Sequence, residues 1–146
     1  MKSLFDKTTY EEIGLRLQQL THDTKPLWGK MNVSQMLYHC TLPLENALGK
    51  IHQEKSGSFL LRLFKSFLYS DRPYRKNLPT AKHFIVKDEK DFTTEKTKLL
   101  QDIKEAHEKG ITGNWGEHPA FGKFTNEQWG KVFYKHLDHH LRQFGV

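Results

Sequence analysis

Apolar side chains recur along the chain at helical spacing, and nowhere do they alternate with period two for long enough to build a sheet. Four segments carry the helical pattern. Over 9–20, Tyr10, Ile13, Leu17 and Leu20 share one face, and Thr8 with Glu11 has the spacing of a capping box. A connection broken by Pro26 and Gly29 follows. The second pattern opens after Asn32, with Gln35 at the capping-box position. Val33, Met36, Leu37, Cys40, Leu44, Leu48 and Ile51 form its stripe, ending before Ser56-Gly57. The third covers 94–109, with Leu99, Leu100 and Ile103 inward and Gly110 as its stop. The fourth opens on Thr125 and Gln128, another capping box, and runs to Phe144. Between the second and third, residues 59–69 read as a short apolar helix, and 70–92, with Pro73 and Pro79, as irregular chain. Four amphipathic helices predict an all-α four-helix bundle, one domain over 1–146.

Composition narrows the function classes. The chain has 146 residues, one domain's worth. Apolar residues are only 36%, but the aromatic share of 12% is spread along the chain and argues against disorder. One cysteine excludes an internal disulfide and a cysteine-only metal site. No apolar run approaches the ~20 residues of a membrane span, and the opening MKSLFDKTTYEE has no apolar signal core, so a cytoplasmic location is expected. The net charge of +6 is local: residues 50–82 hold eight Lys/Arg against two Asp/Glu, and the rest balances.

Nine histidines are the unusual count, and histidine is the commonest metal ligand. In the fourth helix, Trp129, Val132, Phe133, Leu137, Leu141 and Phe144 define the apolar stripe. At about 100° per residue, His136 and His140 fall inside it, one turn apart. Two imidazoles aimed at a core need partners, and a divalent metal satisfies both. His139 lies at the stripe's edge and Asp138 on the solvent side, so neither joins the pair. The best third ligand is His39, at the flank of the second helix's stripe, where Pro43 four residues on removes a backbone bond and bends the helix. Three histidines with an open position is the pattern of catalytic sites. Cys40 reads as a small core residue and His118, before Pro119, as a turn cap. Glu45 and Glu117 are candidate acid/base partners that no spacing secures.

The run WGKMNVSQMLYHC, residues 28–40, resembles the second-helix signature of the DinB/YfiT-like metalloenzyme superfamily. HPAFGKFTNEQWGKVFYKHLDHHLRQFG, residues 118–145, resembles its last helix, in which a His is followed by a second His four residues on and a Gln three further: His136, His140 and Gln143 here. Trp28 to Met31, with His118-Pro119 and Phe121 to Lys123, is similar to one uncharacterised branch of that superfamily. The resemblance implies a long crossover between helices 2 and 3 and a metal, nickel or zinc, on His39, His136 and His140. It also implies a homodimer.

Two function classes follow. One is a metal-dependent enzyme acting on a small molecule, a thiol-dependent S-transferase or a hydrolase, with a low-molecular-weight thiol as the further cofactor. No catalytic or cofactor-binding residue is assigned for it. The other is a non-enzymatic helical module whose basic aromatic segment, 50–82, contacts an anionic partner. That segment interleaves Phe59, Phe64, Phe67, Tyr69 and Tyr74 with Arg62, Lys65, Arg72, Arg75 and Lys76. The preferred reading packs those aromatics on the bundle while Lys and Arg reach water, so neither nucleic acid nor membrane is expected as a partner.

Overall fold

The computed structural model describes residues 1–52, 62–78 and 85–146. Over these the chain forms α1 (Lys7–Gln19), α2 (Val33–Leu48), α3 (Phe92–Lys109) and α4 (Asn126–Gln143), with a 3-10 helix, Lys65–Tyr69, in the long connection between α2 and α3. The four α-helices pack together, α2 most extensively on α3. Among the described residues there is no strand, only an isolated bridge between His118 and Gly122 in the loop before α4.

The caps explain where the helices that build the site begin. Asn32 Oδ1 accepts from the Gln35 backbone N–H at 2.9 Å, and Gln35 Oε1 accepts in return from the Asn32 N–H. Thr125 and Gln128 form the same box at the start of α4. Each box satisfies two donors that the helix cannot, worth about 1 kcal/mol per cap.

Three boundaries differ from the sequence reading. Helix α1 starts at Lys7, so Thr8 lies inside it and forms no capping box; Asp6 takes the cap position, but its carboxylate accepts from the Ser3 N–H instead. Helix α3 starts at Phe92 because Asp91 caps the Thr94 N–H at 2.8 Å. Helix α2 stops at Leu48 rather than near Ser56, because Gly49 adopts φ +80°, which a side chain disfavours. Ser56-Gly57, Phe59, Pro79, Lys82 and His83 lie outside the described residues.

The core draws on every helix: Ile13 and Leu17 of α1, Met36, Leu37, Cys40 and Leu44 of α2, Leu99 and Ile103 of α3, and the whole predicted stripe of α4. The chain start adds Leu4, fully buried, whose N–H donates to Gly130 O at 3.0 Å, and Phe5, stacked on Trp115. A Cβ on Gly130 would stand 2.2 Å from Ser3 Oγ, so that glycine lets the first residues lie against α4.

Candidate metal centre

The apolar stripe of α4 turns His136 and His140 toward the bundle, and α2 brings His39 opposite them. His39 and His140 are buried and His136 is partly exposed. One ligand-type atom from each of the three lies within 4.8 Å of the others. His39 Nε2 and His136 Nε2 are 3.1 Å apart, and the His39 and His140 ring centroids 4.7 Å. Two nitrogens on one tetrahedral ion at zinc distances stand about 3.3 Å apart, so the observed separation fits. Helix α2 runs through Pro43 in one span, Val33–Leu48.

The surroundings favour neutral rings. Burial, then the neighbouring rings of His140 and His39, holds His136 well below the usual histidine range. Burial first, and His39 second, takes His140 down to about 3. Neutral imidazoles keep a lone pair for a cation. Gln143 sets the tautomer: its Oε1 lies 2.8 Å from His140 Nδ1, which therefore carries the hydrogen and leaves Nε2 as acceptor. The Gln143 amide N–H donates to Trp28 O at 2.7 Å, and its backbone O accepts from the Leu27 N–H at 2.7 Å. The last helix thus fixes the chain entering α2.

Around the cluster the side chains are aromatic. His139 is half-buried, with its ring edge-on to Trp28, Tyr74 and His140; it borders the cluster and is not part of it. Burial and the nearby Arg142 lower its pKa. Lys76 Nζ stands 4.6 Å over the Trp28 ring.

The other candidates do different work. His118 caps its turn, Nδ1 accepting from the Ala120 and Phe121 N–H groups, and its ring stacks on Trp129; burial takes it down to about 4. Cys40 is core, its thiol pKa pushed up by burial. Glu45 is buried and paired with Lys98 at 2.8 Å, and Glu117 lies 3.9 Å from Lys123; the histidine cluster contains neither. Asp138 does not point to solvent. It bonds Arg16 and Arg142, each at 2.9 Å, and so ties α1 to α4.

Sequence reasoning missed Lys135. Buried beside His136, it donates to Phe67 O and to Ser70 Oγ, and its Nζ lies 4.5 Å from the ring centroids of both Phe67 and Tyr74. Burial lowers its pKa to about 8. A lysine flanking an apolar stripe was the available signal, but its partners sit some 65 residues away in the connection.

A family model described as "Protein of unknown function (DUF1569)" matches residues 5–145. No curated protein and no solved structure matches.

Proposed function

The chain belongs to the DUF1569 family, a membership that names no reaction, and from the histidine cluster we propose that it is a metal-dependent enzyme with His39, His136 and His140 as ligands. The observation that carries this reading is the convergence of three imidazoles from two helices on one inward face. Nickel and zinc suit three neutral nitrogen donors. The His136, His140, Gln143 spacing and the long connection between α2 and α3 support a place in the DinB/YfiT-like superfamily, and a homodimer belongs to the same reading.

Bound there, a divalent ion would supply Lewis acidity, making a small thiol or water acidic at neutral pH. Three protein ligands leave a position for such a group. The chain's own part is orientation: Gln143 fixes the His140 ring, and His139, packed against Trp28 and Tyr74, borders it. Lys76, held over Trp28, offers a cation to the carboxylates of a low-molecular-weight thiol. That chemistry serves S-transfer to an electrophile or hydrolysis of a small molecule. Elemental analysis of purified protein, then anaerobic turnover assays of nickel- and zinc-loaded protein with thiols and electrophiles, tests it. Stoichiometric metal with turnover is expected; a folded protein that takes up neither ion overturns the reading.

A further inference from the structure

The connection between α2 and α3 does not bury all its apolar residues, contrary to the packed arrangement its sequence suggested. Leu63 is 63% exposed, Phe64 68%, Phe67 38% and Leu78 40%. Within 62–78 stand five cationic side chains, Arg62, Lys65, Arg72, Arg75 and Lys76, all but Lys65 exposed. The single carboxylate of that stretch, Asp71, is paired with the Met1 ammonium at 2.9 Å. The backbone beneath is anchored. Lys135 holds Phe67 O and Ser70, Tyr69 lies edge-on to Phe124, and the Tyr74 hydroxyl donates to Leu68 O. Leu63 and Phe64 therefore stand exposed just before a stretch, 67–74, that is fastened to the bundle.

We propose that this face docks on an anionic lipid surface. Exposed large apolar side chains with Lys and Arg close to them in the chain are what the boundary between headgroups and acyl chains accepts, the former entering and the latter meeting lipid phosphate. A second copy seated face to face would oppose two sets of five cations. A nucleic acid would satisfy the charge, but aliphatic Leu63 and Leu78 have no ring to stack on bases. Among the described residues no helix is long and apolar enough to cross a membrane, so the contact is peripheral. The inference uses none of the three clustered histidines, and of its five cations only Lys76 also serves the metal reading.

The test is co-sedimentation of the full chain with vesicles of phosphatidylcholine containing about one third phosphatidylglycerol, against phosphatidylcholine alone. The wild type is expected on the anionic vesicles at least about tenfold more tightly. Leu63→Ser with Phe64→Ser, or Arg72→Glu with Arg75→Glu, should each lower that binding at least about tenfold at unchanged helicity. Should a double variant lose its fold, Phe64→Trp in the otherwise intact chain reads insertion directly, as a blue shift of the emission the substitution adds on anionic vesicles only. Absence of binding at low ionic strength overturns the proposal. So does binding indifferent to Leu63 and Phe64, or a dimer that Leu63→Ser with Phe64→Ser splits in light scattering. Tighter retention on duplex DNA than on the anionic vesicles overturns it as well.

Discussion

The side-chain nitrogen of Gln143 stands 2.5 Å from where a Cβ on Gly29 would lie. Gly29 also has φ +86°, a conformation that costs an L side chain about 1–2 kcal/mol. The close approach lets Gln143 bond Trp28 O with one end of its amide and His140 with the other. Gly29→Ala should therefore lower stability by about 2 kcal/mol, combining backbone strain with displacement of Gln143. Chemical denaturation checks this. Gln143→Leu should leave the helices formed but release the His140 tautomer, and nickel or zinc affinity in a competition titration should fall about 10–100-fold.

Lys135 fastens the long connection to α4 through a carbonyl, a hydroxyl and two ring faces. Lys135→Ala removes the donor and leaves a cavity, with an expected loss of about 2–3 kcal/mol. Lys135→Met keeps most of the volume and should recover part of that loss. The amides of residues 65–74 should exchange faster in both variants while those of α3 do not. Exchange accelerating equally throughout would show that Lys135 supports the bundle as a whole.

The helices were legible because their information is local. Apolar residues three and four apart, with Asn32/Gln35 and Thr125/Gln128 at the ends, specify a helix and the face it buries. The same periodicity turned His136 and His140 inward, and Gln143 was named by the resemblance of the last helix. His39 was less legible because it flanks its stripe; its burial is decided by α4 packing opposite. What the sequence reading did not reach depends on distant chain. Leu4 is buried and Phe5 half-buried because Gly130 admits them, Asp138 turns from solvent because Arg16 of α1 meets it, and Gly49 ends α2 despite the apolar Ile51 beyond it. Whether the aromatics of the connection pack or stand out depends on the same long-range fit. Tyr69 and Tyr74 find partners on or beside α4, whereas Phe64 stays exposed.

His118 gives the metal-free protein a pH dependence of defined sign. Its ring is neutral in the fold down to about pH 4, whereas an unfolded chain protonates it at about 6.5. Between those values the unfolded state binds more protons, so stability falls as pH drops from about 6.5 toward 4 and is unaffected by this group above 6.5. The loss from His118 should be about 3 kcal/mol, with His136 and His140 adding in the same direction. His118→Asn keeps an acceptor for the turn but does not titrate. It should start less stable, for lack of the Trp129 stack, and show a shallower slope in thermal unfolding across that window. An unchanged slope would mean that His118 titrates alike in the folded and the unfolded chain.

The three clustered histidines and their neighbour make the sharpest comparison, because His139 and His140 are adjacent in sequence and differ only in the face they occupy. His140 is bonded to Gln143 and turned toward His39, while His139 lies among Trp28 and Tyr74. Removing one of three nitrogen donors leaves two, too few for a catalytic-type site. His39→Ala, His136→Ala and His140→Ala should each reduce bound nickel or zinc below about a tenth of the wild-type content after dialysis. His139→Ala should retain most of it. The substitutions also replace an imidazole in a largely apolar interior by a methyl group, so each variant should keep its helicity and the loss of metal is not a loss of fold. Circular dichroism run beside elemental analysis separates the two. Metal lost from His139→Ala but kept by His140→Ala would reverse the assignment of faces on α4. Metal content unchanged in all four folded variants would leave His39, His136 and His140 as a hydrogen-bonded core cluster with no ion to hold.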